Sequence, residues 1–324
     1  MQMVDAVVVG GGPAGSTCAW KLQDAGLDVL VLDRAAFPRS KLCAGWITPD
    51  VLADLELDPA QYPLSFMTFD ALRLHWKAFS VQLQSRQHSI RRCEFDDFLL
   101  RRAGASVRQH SVREIRRDGA DYIIDDVIRC KYLVGAGGTA CPVYRSLFHD
   151  RNPRSSVLQT ATYEQEFPFD WQSADCHLWF FDHGLPGYAW YVPKANGHIN
   201  VGLGGMAEQL KGRAAHLKQH WQKFVHKLAR RRLVRYDDYQ PTGYSYYLRG
   251  NVDVVRDGNA FIVGDSVGLA TRDMCEGIGP AVKSGLLAAN SIVTGADYSL
   301  AAIARYSAGG FFSRVLERRF VGTH

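Results

Sequence analysis

The chain opens on an apolar run from Val4 to Val9, interrupted only by Asp5, which reads as a buried strand. It enters Gly10-Gly11-Gly12-Pro13-Ala14-Gly15, then a helical stretch through Leu22, then a second strand, Asp28 to Leu32, that ends at Asp33. Strand, glycine turn, helix and strand in that order form a dinucleotide-binding βαβ unit. Gly10 permits the tight turn, Gly12 lets the backbone approach a pyrophosphate, and Gly15 lets helix pack closely on strand. The amino end of the helix offers N–H groups to the phosphates. Asp33 can accept both ribose hydroxyls of an adenosine.

Farther along, Phe95, Phe98 and Leu99 share one face of a helix over Glu94 to Arg102. Residues 106 to 134 read as a three-stranded antiparallel excursion: Ser106 to Arg116, a turn at Asp118-Gly119, Asp121 to Ile124, then Val127 to Val134. That last strand ends in Gly135-Ala136-Gly137-Gly138, a second place where backbone approaches a ligand. From 155 to 250 the chain is rich in aromatics. His177 to Phe181, Tyr188 to Val192 and Ile199 to Leu203 form a meander, joined at Gly184-Leu185-Pro186-Gly187 and Asn196-Gly197. The style of the opening then returns: strand Asn259 to Val263, Gly264-Asp265-Ser266, and a helix from Gly279 to Thr294. One cofactor domain is therefore expected, interrupted by a substrate domain, with the two ends of the chain meeting around a single extended ligand.

Length and composition narrow the partners. With 324 residues, 47% of them hydrophobic, two cooperating cores are expected. The net charge is only +5, and the basic doublets are scattered, so nucleic acid is not an expected partner. No segment has the roughly 18 uninterrupted apolar residues that a spanning helix needs. The amino terminus lacks a basic leader, so a cytoplasmic protein is expected, peripheral to a membrane at most. The seven cysteines form no CxxC pair and no zinc-ligand spacing, which predicts reduced thiols and no structural metal.

Together these pieces resemble the FAD-dependent oxidoreductases of the para-hydroxybenzoate hydroxylase fold, and among them the geranylgeranyl reductase family. Tyr188-Ala189-Trp190-Tyr191-Val192-Pro193-Lys194 looks like that family's (Tyr/Phe)-x-Trp-x-Phe-Pro-Lys motif, with Val192 where Phe is usual. Gly264-Asp265-Ser266-Val267-Gly268, with Cys275-Glu276-Gly277-Ile278-Gly279-Pro280-Ala281, is similar to its carboxyl-terminal flavin motif. Pro38-Arg39-Ser40-Lys41-Leu42-Cys43-Ala44-Gly45 resembles its Cys-Gly-Gly loop, with Ala44 in place of the first glycine.

The resemblance implies an α/β fold: a Rossmann-like FAD-binding domain (1–70, 93–155 and 252–296) interleaved with a mixed and antiparallel β-sheet substrate domain (71–92 and 156–251), and a C-terminal helix over 297–324. It implies FAD held at Gly10, Gly12, Pro13, Ala14, Gly15, Asp33, Arg34, Cys43, Ala44, Arg92, Val112, Gly264, Asp265, Gly277, Ile278 and Gly279. Asp265 would accept a ribityl hydroxyl, and Gly277 to Gly279 would aim backbone donors at the flavin pyrimidine. Arg92 matches a family arginine that approaches the cofactor, and Val112 a strand position whose backbone meets the adenine.

The implied activity is reduction of carbon–carbon double bonds in an apolar, isoprenoid-like small molecule or lipid by hydride from reduced flavin. NAD(P)H, another reductant or a redox partner protein would supply the electrons. Two alternatives stand beside it: a flavin monooxygenase or halogenase-like tailoring enzyme, and an electron-carrying flavoprotein. Gly135-Ala136-Gly137-Gly138 lacks the aspartate of the hydroxylases' Gly-Ala-Asp-Gly, which argues against direct NADPH use. The chain ends roughly 30 residues after the flavin-proximal helix, so a shorter substrate, or a partner that completes the wall, is expected.

Cys43, Tyr188 and Trp190 are the candidate pocket residues; no catalytic acid is identified. Each has a structural alternative: Cys43 as an inert buried thiol, Tyr188 and Trp190 as sheet core pointing the same way. Cys275 is expected to pack and Lys194 to be a solvated turn lysine. His177 and His183 have no partner acid at catalytic spacing. Leu217, Trp221, Phe224 and Leu228 give one apolar helical face, expected to pack on the substrate sheet, with contact to an anionic membrane as the other reading.

Overall fold

Ala6 to Val9 are buried because the strand Gln2–Val9 sits inside a sheet, flanked by two parallel strands, Ile128–Gly135 and Val29–Asp33. The computed structural model describes residues 1–211, 214–235, 239–308 and 310–320 and divides the chain into two units. The first comprises Met1–Arg39, Cys93–Ser155 and Tyr247–Ser307. The second comprises Ser40–Arg92, Ser156–Tyr246 and the described residues from Ala308.

The sheet of the first unit runs in the order Arg256–Asp257, Ala260–Ile262, Ile128–Gly135, Gln2–Val9, Val29–Asp33, Ser106–Gln109. The strands Ile115–Asp118 and Asp121–Ile124 extend it antiparallel from Ile128–Gly135. The stretch expected as one strand, Ser106 to Arg116, is therefore two. Ser106–Gln109 pairs parallel with Val29–Asp33, and the chain then crosses Val112, buried in the core, before turning into Ile115–Asp118.

Two helices pack on this sheet at unusually close range. A Cβ at Gly285, in the helix Ile278–Thr294, would stand 2.4 Å from the Ala14 carbonyl of the helix Pro13–Asp24. Only glycine permits that approach. The segment expected as a C-terminal helix from 297 begins without one: Tyr298, Leu300 and Ile303 close onto the first core as irregular chain. The helix itself is Gly310–Phe320, and residues 321–324 of the expectation lie outside the described residues.

The second unit is a seven-stranded sheet in the order Thr242–Tyr247, Gln159–Pro168, His198–Met206, Gly187–Lys194, Cys176–Phe180, Ala71–Trp76, Phe79–Gln84. The meander read from the sequence forms its middle. One face is covered by the helix Ala214–Arg230, whose Trp221, Phe224, Val225 and Leu228 pack against Trp179, Tyr191, Val201 and Leu203. The packing reading of this helix therefore holds. A three-stranded sheet of Trp46–Ile47, His88–Ile90 and Phe66–Thr68 joins the same unit. This pairing is why residues 40–70, which the sequence reading grouped with the cofactor domain, divide with the second unit.

Gly285→Val should destabilise the protein by about 1–3 kcal/mol through overpacking. Chemical denaturation monitored by circular dichroism checks this, and an unchanged midpoint would show that the helices have room to separate.

Candidate active site

In the first unit the glycine turn is built by close approach. Gly10 has φ +114°, and a Cβ there would lie 2.3 Å from the Ala136 carbonyl. A Cβ on Gly15 would lie 1.9 Å from the Gly10 carbonyl. A Cβ on Gly12 would meet Arg39 Nη2 at 3.5 Å and nothing closer, so the backbone there is open to a ligand. Gly12 caps the helix Pro13–Asp24, with Pro13 at its first turn. Pro13 and Ala14 are buried, and the Ala14 side chain faces Gly264, so Ala14 serves packing.

Asp33 braces the turn. Its Oδ2 accepts from the Gly11 N–H at 2.8 Å and its Oδ1 from the Ala35 N–H at 2.9 Å. Arg34 beside it is exposed, and its carbonyl accepts from Gln109 Nε2 at 3.3 Å. Arg39, which the sequence reading left unassigned, is held by an ion pair at 3.3 Å to the fully buried Asp96. A guanidinium beside an open helix amino terminus suits a pyrophosphate.

The second glycine cluster supplies a carboxylate. Gly264 has φ +59°, and its N–H donates to Ser284 Oγ at 2.9 Å. A Cβ at Gly277 would lie 3.6 Å from Asp265 Oδ1, so these two predicted cofactor residues are neighbours. Ile278 is buried. Gly279 departs from expectation: its N–H donates to Glu276 Oε1 at 2.9 Å, and Glu276 Oε2 accepts from Ser307 Oγ at 3.1 Å. Glu276 thus caps the helix start, where negative charge is favoured. The open approach at Gly12, the braced Asp33, and Asp265 beside Gly277 fit a long dinucleotide with a polyol chain.

In the second unit, Glu164, Gly202 and Trp190 stand in register across three strands and share one face of the sheet. The indole fills the space of the missing side chain: a Cβ on Gly202 would be 2.2 Å from Trp190 Cζ2 and 2.8 Å from Glu164 Cβ. Tyr188 lies beside it, ring centroids 5.8 Å apart. Trp190 Nε1 donates to Asn200 Oδ1 at 2.7 Å, and Asn200 Nδ2 donates to the Cys43 carbonyl at 3.3 Å. Cys43 is half-buried, and its Sγ accepts from the Gly45 N–H.

Lys194 is fully buried, contrary to the expected solvated turn lysine. Its Nζ donates to the Ala44 and Ile90 carbonyls, each at 2.6 Å, and lies 3.8 Å from Glu166 Oε2. Gly45, at φ +64°, makes room, since a Cβ there would stand 2.5 Å from Nζ. The lysine binds the Cys43–Gly45 loop and the strand His88–Ile90 to the seven-stranded sheet.

Glu164 is the acid that sequence reasoning did not find. It is 2% exposed, and burial pushes its carboxyl up to about 7, against the opposing pull of Lys194, Lys41 and Arg92. Arg92, expected at the cofactor, is buried within the electrostatic reach of Glu164. His75 Nε2 and His177 Nδ1 lie 3.0 Å apart, stacked with Trp179 on the helix-covered face. Burial first, then neighbouring cations, lowers both to about 4, so they are neutral near pH 7. His183 is exposed.

Residues 5–97 match the family model described as FAD dependent oxidoreductase. The chain carries an FAD-dependent oxidoreductase domain. It is 29% identical to the menaquinone reductase of Mycobacterium tuberculosis, over 88% of this chain and 75% of that protein. It is 29% identical to digeranylgeranylglycerophospholipid reductase 2 of Methanopyrus kandleri, over 62% of this chain and 54% of that one. The fold is shared with a geranylgeranyl bacteriochlorophyll reductase-like protein of Thermoplasma acidophilum, at TM-score 0.80 and 19% identity over 99% of this chain and 84% of that one. It is shared as well with the flavin-dependent brominase Bmp2, at TM-score 0.71 and 19% identity over 92% and 81%. FAD is accordingly the cofactor.

In this oxidoreductase, Lys194→Met should strand the Ala44 and Ile90 carbonyls and cost about 2 kcal/mol. It should also speed hydrogen exchange at Ala44 and Gly45. Unchanged exchange in that loop would contradict the clamp.

Proposed function

We propose that the chain reduces carbon–carbon double bonds of an apolar, isoprenoid-like substrate. The observation that carries this reading is the buried carboxyl of Glu164, beside Gly202 and Trp190 on the face that also bears Tyr188. Saturating an alkene needs a hydride on one carbon and a proton on the other. FAD, when bound and reduced, supplies the hydride and is the two-electron reductant. Gly10, Gly12, Asp33 and Asp265 would hold it. NAD(P)H, another donor or a redox partner would recharge it.

The chain's own contribution is positioning and a proton. Trp190, Tyr188, Leu178 and Phe180 form an apolar wall that excludes water and lets an extended hydrocarbon lie flat. Trp190 is fixed by its bond to Asn200, and through Asn200 it is tied to the Cys43 carbonyl. Glu164 holds a proton at its carboxyl oxygen near neutral pH and delivers it to the alkene carbon opposite the hydride. The π bond breaks, two C–H bonds form, and the Glu164 carboxylate regains its proton from solvent. Homology to reductases of quinone and isoprenoid lipids supports the substrate class.

The pH sign follows from Glu164. Its folded value, about 7, exceeds the ordinary 4.5, so its contribution to stability is full below 4.5 and is lost as pH rises through about 7. The reduction rate should fall over the same upper limb. Photoreduced holoprotein mixed without oxygen with a detergent-dispersed polyprenyl alkene should reoxidise and yield the saturated product. Glu164→Gln should keep its flavin, lose roughly 10²–10⁴-fold in rate and lose the alkaline limb. Reoxidation only in the presence of oxygen would sink the proposal and favour the monooxygenase alternative. Reoxidation only by an added redox protein would favour the electron carrier.

A further inference from the structure

The strand Phe79–Gln84 closes one edge of the seven-stranded sheet, and every residue in it is exposed. It alternates strictly, with Phe79, Val81 and Leu83 on one face and Ser80, Gln82 and Gln84 on the other. Phe79 is 77% exposed, Val81 54% and Leu83 43%. Edge strands are ordinarily protected by charge or cover, because an open apolar edge invites association. This strand carries no charge of its own.

The register places these three side chains on the face that bears Trp190. Phe79 pairs with Trp76, Trp76 with Phe180 and Phe180 with Tyr188; Val81 pairs with Leu74, Leu74 with Leu178 and Leu178 with Trp190. Apolar side chains thus run along one face of a single sheet from the exposed edge to Trp190; Leu178 and Phe180 between them are buried, and the Phe320 ring centroid stands 6.3 Å from that of Tyr188. From Ala71 to Arg92 the sequence has no Asp or Glu, exposed Lys77 and Arg86 flank the strand, and Arg319 lies over the Trp76 ring at 5.6 Å from its centroid. Apolar side chains bordered by basic ones suit an anionic lipid surface.

We propose that this edge docks on an anionic bilayer: Phe79, Val81 and Leu83 enter the headgroup boundary, which brings the sheet that bears Trp190 to the surface where an apolar substrate resides. The inference rests on the apolar-substrate reading above. Its test is flotation of the FAD-loaded protein with vesicles of phosphatidylcholine alone or mixed equally with phosphatidylglycerol. The protein should float with the anionic vesicles. Phe79→Ser/Val81→Ser/Leu83→Ser should weaken this about 100-fold, and Lys77→Glu/Arg86→Glu roughly 10-fold or more, on anionic vesicles only. Both variants should keep the parent's anaerobic rate on detergent-dispersed alkene.

Equal flotation of parent and triple-serine variant would overturn the proposal, as would a parent that stays in the aqueous fraction. A dimer in light scattering that the triple-serine variant abolishes, with no vesicle binding, would assign the edge to a second copy of the chain instead. Failure of vesicle binding leaves the anaerobic reaction intact, whereas failure of the reaction in detergent counts against the reductase reading itself.

Discussion

A fully buried ammonium must find oxygen acceptors, and Lys194 finds them in two backbone carbonyls distant in sequence. That requirement organises the second unit. Satisfying Nζ draws the Cys43–Gly45 loop and the strand His88–Ile90 onto the end of the strand Gly187–Lys194, and Gly45 is the residue that leaves space for it. The Ser89 hydroxyl donates to the Pro193 carbonyl at 2.7 Å, a second tie at the same place. With the loop fixed, the Cys43 carbonyl is in place to accept from Asn200, and Asn200 to hold the indole of Trp190.

The two glutamates of the strand Gln159–Pro168 then part company. Glu166 reaches cations, Arg91 at 2.8 Å and Lys194 at 3.8 Å, and is partly solvated. Glu164, two residues earlier on the same face, is enclosed beside Gly202 and the Trp190 ring, and burial outweighs the cations near it. Neighbouring carboxyls in different surroundings acquire different work, one as a charge partner and one as a held proton.

What the sequence reveals is what the backbone demands locally. The glycine turn at Gly10 to Gly15, Asp33 at a strand end, and the Tyr188 to Gly204 meander were legible because turns and alternation are encoded residue by residue. Glu164 and Lys194 were not. Their burial comes from partners distant in sequence, such as Trp190, Gly202 and Ala44, so a lysine after a proline reads as solvated and Glu164 carries no local signal. The grouping of residues 40–70 with the second unit likewise depends on pairing with His88–Ile90. Ser106 to Arg116 looked like one strand because its crossing at Val112 carries no glycine or proline.

The central claim is that Glu164 keeps a proton near neutral pH on an apolar, aromatic face. Difference infrared spectroscopy of the holoprotein over the range of about pH 5 to 9 reads this directly, with Glu164→Gln as reference. A protonated-carboxyl C=O band should be present in the parent, absent in the variant, and should disappear with a midpoint of about 7. No such band, or a midpoint in the ordinary carboxylate range, would contradict it.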